Sequence, residues 1–122
     1  MQLAGAESVL RGRINEKWLH RGVVIWSPLN TYVDADVELA PEVSLLPGTV
    51  LKGHCVIERG ARIGPNAILN DVFVGEGANV ATIEASNARI GAEARVESFV
   101  VLAPGSAVAS GEVVTPFSYR TP

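Results

Sequence analysis

The sequence predicts an all-β solenoid, a left-handed parallel β-helix of hexapeptide repeats with an N-terminal α-helix, and three periodic features carry that expectation. First, an aliphatic residue returns every six positions at Val33, Leu39, Leu45, Leu51, Ile57, Ile63 and Leu69, then at Val74 and Val80, then at Ile90, Val96, Leu102, Val108 and Val114. A six-residue period fits neither the 3.6 of an amphipathic helix nor the 2 of a half-buried strand, and it is the spacing of stacked hexapeptide coils. Second, with the aliphatic residue at position one, position five holds Val37, Val43, Thr49, Cys55, Ala61, Ala67, Ala78, Ala94, Val100, Ser106 and Ser118. These residues are mostly small, as a narrow close-packed interior requires. Phe73, Glu84 and Glu112 depart from that rule. Third, position three holds Pro41, Pro47, Pro65, Pro104 and Pro116, and glycine recurs beside it, which marks turns at fixed intervals.

The elements follow in order. Leu3, Ala6, Leu10, Ile14 and Trp18 form one apolar stripe at helical spacing, and Arg21-Gly22 is a glycine stop. Gly5 and Gly12 weaken that helix by up to about 1 kcal/mol each, so it needs docking to persist. Val23-Val24-Ile25-Trp26 reads as a short strand and Ser27-Pro28-Leu29-Asn30 as a turn. Residues 1–30 are therefore expected to cap the solenoid, covering the open edge of its first coil, and residues 31–122 to form the β-helix domain. At about eighteen residues per triangular turn the repeat makes roughly four to five coils, some 20–25 Å tall at about 4.8 Å per strand. No matching cap is visible after Val114, where Phe117 and Tyr119 are the candidates. The repeat slips twice, between Leu69 and Val74 and between Val80 and Ile90, each time just before a Val-Gly or Ile-Gly pair. Tightened corners are the expected cause.

Composition narrows the function. The chain has 122 residues, room for one domain, and a formal net charge of −3, which gives no basis for nucleic-acid binding. Arg11, Arg13, Lys17 and Arg21 cluster early and read as a solvated helix face. No apolar run is long enough to span a membrane and no signal-like start is present. The lone Cys55 falls in a core slot and suits a reducing, cytoplasmic setting. Two histidines exist, His20 at the helix end and His54 beside Cys55 on a coil. Both read as solvated side chains before they read as a base or ligand.

Taken in order, Gln2-Leu3-Ala4, Val9-Leu10-Arg11, Arg13-Ile14-Asn15, Gly22-Val23, Asp34-Ala35-Asp36-Val37, Pro47-Gly48-Thr49, Ile63-Gly64-Pro65, Val74-Gly75-Glu76-Gly77-Ala78 and Phe99 before Leu102-Ala103-Pro104-Gly105 form a specific series. It resembles the bifunctional N-acetylglucosamine-1-phosphate uridyltransferase/glucosamine-1-phosphate acetyltransferase family, in its linker helix and the first coils of its left-handed β-helix domain. The resemblance runs to about Gly111 and implies a homotrimer. It also implies that the nucleotidyltransferase domain would precede Met1, and that the acetyltransferase histidine and lysines would lie in coils beyond Pro104-Gly105. The family has a phosphate-holding arginine before that Pro-Gly, and this chain has Ala103 there. A methyl group does not replace a bidentate guanidinium.

The expectation is a hexapeptide-repeat relative with an incomplete acetyltransferase site, acting as a trimerising or binding module. Its expected ligand class is a sugar nucleotide or sugar phosphate, with no catalytic residue, cofactor or metal assigned. The alternative is an acyltransferase or sugar-nucleotide-related enzyme that works with a partner chain and uses acetyl coenzyme A. A zinc site of the carbonic anhydrase type would need three histidines per metal, and His54-Cys55 is not a zinc spacing. Thr31, Thr49, Thr82, Thr115 and Thr121 form no ice-binding ladder.

Overall fold

A computed structural model describes residues 3–122, with side chains described from Gly12 onward. The chain forms helix α1 over Leu3–His20 and then a parallel β-solenoid with three faces. Face one is a six-stranded sheet of Val24–Ile25, Ser44–Leu45, Arg62–Ile63, Asn79–Val80, Arg95–Val96 and Val113–Val114. Face two, also six-stranded, runs through Tyr32–Val33, Val50–Lys52, Ile68–Asn70, Ile83–Ser86, Val100–Leu102 and Tyr119–Arg120. Face three has five strands, Glu38–Leu39, Val56–Ile57, Phe73–Val74, Arg89–Ile90 and Ala107–Val108. Every strand pair is parallel and joins successive turns, which is the hexapeptide β-helix that the period predicts.

The aliphatic position-one residues are all buried, and they stack in columns. One column is Ile25, Leu45, Ile63, Val80, Val96 and Val114, in cross-strand register from turn to turn. The core thus sits inside the coils and is contiguous from Trp18 to Val114. Aromatic rings are almost excluded from it, since Trp18 alone among them is buried, and it lies where α1 meets the first turn.

The phase slips are tightened corners. From Leu69 to Val74, from Val80 to Ala85 and from Ala85 to Ile90 the connection is one residue short, and the first and last of these turn through Asp71 and Asn87 at left-handed φ of 54° and 45°. Ala85 pairs with Leu69 and Leu102, so it fills the inward position between Val80 and Ile90 that the aliphatic count skipped. This explains two of the three irregular residues. Val72 and Ile83 are the buried ones, while Phe73 and Glu84 turn outward. Glu112 remains a true exception.

The Val74-Gly75 and Ile90-Gly91 pairs have a steric origin. A Cβ on Gly75 would lie 2.5 Å from the Ala92 nitrogen, and one on Gly91 would lie 2.5 Å from the Ser110 nitrogen. Those contacts are backbone and cannot rotate away.

At the other end, α1 stops as expected. Gly22 has φ of +85°, the Val23 N–H donates to the Trp18 carbonyl at 3.0 Å, and the Gly22 N–H donates to Leu19 at 3.3 Å. This is the paired closure of a glycine-ended helix. Ile14 and Trp18 face the core, whereas the side chains of Leu3, Ala6, Leu10 and Arg11 lie outside the described residues. Asn15, buried, donates from Nδ2 to the Pro28 carbonyl at 2.9 Å and so ties α1 to the turn at Pro28–Asn30.

Two stability outcomes follow from this packing. Gly91→Ala should lower the denaturant midpoint by an amount worth about 1–3 kcal/mol, as overpacking does. Gly12→Ala, with open space around it, should raise stability by roughly 0.8–1 kcal/mol through helix propensity. Cys55 is fully buried, with Sγ 3.5 Å from the Leu69 carbonyl, and burial pushes its thiol above the ordinary value. Cys55→Leu should therefore cost about 1–3 kcal/mol, and native-state thiol labelling should be slow; rapid labelling would place the side chain outside.

Candidate functional site

The corner between faces two and three is the most chemically loaded edge of the prism. In the first turn it carries Asp34-Ala35-Asp36, in the second Lys52-Gly53-His54, in the third Asn70-Asp71, and further along Ser86-Asn87 and Ala103-Pro104-Gly105. Carboxylates here satisfy backbone donors of the next turn or the one before. Asp34 Oδ2 accepts from the Gly53 N–H at 2.8 Å, and Asp71 Oδ1 accepts from the His54 N–H at 2.8 Å. The loop that holds His54 is therefore pinned from both sides.

The imidazole itself stands outward. His54 Nε2 lies 3.0 Å from Glu38 Oε2, and both side chains are more than half exposed. A carboxylate only accepts, so the proton of the neutral ring sits on Nε2 and leaves Nδ1 as the basic nitrogen. This pair borders an open groove of about 650 Å³, whose walls include Lys17, Trp18, Arg21, Asp36, Glu38 and His54. The Lys17 ammonium lies 4.7 Å from the Trp18 ring centroid and the Arg21 guanidinium 5.5 Å, so the two cations are held against the helix by an aromatic face. The groove can accept a polar ligand with charges of both signs. Its exposure leaves those charges well screened.

The residues singled out from sequence are not brought together. His20, at the end of α1, lies 3.7 Å from Glu16 and is exposed, while His54 pairs with Glu38. Cys55 points into the core next to His54 in sequence but away from it in space. Among the described residues, no group of three or more His, Cys, Asp or Glu is placed to hold a metal ion. Ala103 lies on the same corner as His54, three turns further along, with its N–H donating to the Arg120 carbonyl at 2.9 Å. None of the helices described is long and apolar enough to cross a membrane.

One feature was missed. The outward residues of face two align as Tyr32, Val50, Ile68, Glu84, Val101 and Tyr119, an apolar stripe broken once. The equivalent rows are more mixed, with Val24, Ser44, Arg62, Asn79, Arg95 and Val113 on face one and Glu38, Val56, Phe73, Arg89 and Ala107 on face three. Beside the stripe, Phe99 and Phe117 stack at 5.2 Å between centroids, both at left-handed φ and both exposed. The signal was present in the sequence as an apolar residue before position one in every third hexapeptide, but the period of six conceals a period of eighteen.

His54→Ala should leave the denaturant midpoint within about 0.5 kcal/mol of the parent, as for an exposed pair. Asp71→Ala should cost about 1 kcal/mol, because it removes a charge-assisted bond to the backbone.

The comparisons agree with the residue series. No family model matches the chain. The bifunctional protein GlmU of Caldanaerobacter subterraneus subsp. tengcongensis is 38% identical over 108 residues, 88% of this chain and 24% of that protein. The GlmU of Kineococcus radiotolerans is 41% identical over 115 residues, covering 93% and 23%. That of Clostridium novyi is 34% identical over 116 residues, covering 95% and 25%. The chain thus spans about a quarter of the length of the curated relatives it matches.

Proposed function

We propose that this chain, which is homologous to the linker helix and first β-helix coils of the bifunctional GlmU proteins, acts as a trimerising and ligand-binding module and not by itself as an acetyltransferase. The observation that carries this reading is the outward stripe of face two. Tyr32, Ile68, Val101 and Tyr119 are 40%, 43%, 39% and 69% exposed, large apolar side chains in one row that Glu84 interrupts. Contiguous exposed apolar surface marks an interaction site. Three prisms set side by side about a threefold axis would bury it, as the family resemblance implies. The Phe99–Phe117 stack supports the same face, since two exposed rings in left-handed backbone are unfavourable without a partner surface.

The absence of stand-alone acetyl transfer is argued from chemistry. Transfer to an amine needs a base at the nucleophile and an anion clamp that orients the sugar phosphate. Ala103 supplies a methyl group where the family clamps phosphate, and it lies three turns from the His54–Glu38 pair. Binding of a sugar nucleotide or sugar phosphate does not depend on the base and is compatible with the groove beside Lys17 and Arg21. A second reading is favoured by one observation, the His54–Glu38 dyad at 3.0 Å on the rim of that groove. There the chain would supply a base to an acyltransferase completed by a partner chain, with acetyl coenzyme A as donor.

Light scattering at micromolar concentration should give a trimer mass, and Ile68→Glu with Val101→Glu should reduce it to that of a monomer. A monomeric parent would sink the assembly. The purified trimer should show no turnover above background with acetyl coenzyme A and glucosamine-1-phosphate. Turnover that falls on His54→Ala with the trimer intact would move the second reading to first place.

A further inference from the structure

Face one carries a cationic cluster that is separate from the groove beside α1 and from the outward stripe of face two. Its strands set Arg62, Asn79 and Arg95 in direct register on three successive turns. At about 4.8 Å per strand the two arginine Cα atoms stand roughly 10 Å apart, with Asn79 midway between them. All three side chains are exposed.

Beside them the surface is hollowed. Two residues further along each strand, the outward column reads Leu46, Gly64, Ala81 and Glu97. Between Leu46 and Glu97 it therefore presents only a hydrogen and a methyl group. Glycine is compulsory at position 64: its φ is +104°, and a Cβ there would collide with Thr49 Oγ1 and lie 3.1 Å from Leu46 Cβ. The result is a hollow of about 110 Å³ whose walls include Gly64, Asn79, Ala81, Arg95 and Glu97. Arg62 flanks Asn79 on the side away from Arg95.

The donors around this hollow are uncommitted. Other arginines of the coils are occupied, Arg59 by Glu42 at 3.8 Å, Arg89 by the Phe73 ring at 4.6 Å and Arg120 by Glu112 at 2.6 Å. Arg62 makes no ion pair among the described residues, and neither Glu76 nor Glu93 on the adjoining corner pairs with it or with Arg95. Arg95 Nε lies 3.1 Å from Glu97 Oε1, a half-buried carboxylate. That contact orients the guanidinium without using all five of its N–H donors. The Asn79 side-chain amide has no bonded partner among the described residues.

We propose that Arg62, Asn79 and Arg95 bind a phosphate dianion, free or at the end of an ester, seated at the hollow beside Ala81. A phosphate group offers enough terminal oxygens for a guanidinium fork on either side, whereas the two oxygens of a carboxylate are satisfied by one fork. Two arginines on a chain of net charge −3 give no track for a longer polyanion. Glu97 opposes the anion and solvent screens the exposed forks, so the dissociation constant is on the order of 1 mM.

The test titrates the full, nitrogen-15-labelled chain with inorganic phosphate and, separately, with methyl phosphate, at constant ionic strength against chloride. Both should give saturable shifts of the Asn79 side-chain amide and of the Arg95 Nε–H, and the tighter of the two identifies the free or the esterified group as the ligand. Arg62→Gln and Arg95→Gln should each weaken binding by roughly fivefold or more. Glu97→Gln, which removes the opposing charge and keeps an acceptor for Arg95, should tighten it by roughly twofold. If a glutamine variant loses its β signature in circular dichroism, the lysine variant replaces it, since lysine keeps the charge without the fork and should also weaken binding. Shifts that do not saturate, or that chloride reproduces, overturn the proposal, and so does binding that neither arginine variant changes. Shifts confined to the groove around Lys17 and Arg21 also overturn it while leaving the groove as the ligand site.

Discussion

Backbone hydrogen bonds between successive turns set the dimensions of everything else in this molecule. Successive turns exchange backbone hydrogen bonds along all three faces and at the corners, so the faces advance together and the space they enclose cannot widen. That constraint explains the absence of rings from the solenoid interior and the stacking of like residues in columns. It also explains why Cys55 behaves as a small apolar residue and not as a thiol with chemistry. The same ladder dictates where glycine is compulsory, because at Gly75 and Gly91 the next turn lies too near for any side chain.

How much of this was legible in the sequence depended on residue size. Position one was readable from Val33 to Val114 because Val, Leu and Ile are unmistakable there. Ala85 fills the same slot but is too small to register as an aliphatic beat, so two one-residue deletions looked like a single gap of ten. The strict six-residue frame carried through the slips put Phe73 and Glu84 in inward slots that Val72 and Ile83 occupy. The α1 stop was legible because Gly22 has one physical role there, while Asn15 gave no hint that its amide would bond to Pro28 thirteen residues away.

The candidate site was less legible, for a different reason. Inward positions are constrained by packing and therefore print a pattern, whereas outward positions are free and print one only where another surface constrains them. His54 and Glu38 are sixteen residues apart and meet because adjacent turns place them on one corner. Nothing in their spacing distinguishes them from Arg59 and Glu42, which also lie on adjacent turns. The outward stripe of face two, apolar at every turn but that of Glu84, is the most regular of the free positions, and its recurrence once per turn is itself a reason to read it as constrained.

The corner at Ala103-Pro104-Gly105 separates fold from chemistry. Its shape is set by backbone: the Gly105 N–H donates to the Asn87 carbonyl at 2.8 Å, the Ser106 hydroxyl donates to the Ala103 carbonyl at 2.6 Å, and Gly105 holds φ of +87°. None of these contacts uses the side chain at position 103. A guanidinium there would be a passenger on the turn, present for a ligand and not for the coil. With Ala103 the turn keeps its shape, and an arginine at this position would add a charge to the edge without altering the coil. Packing alone therefore places no demand on the identity of the side chain at this corner.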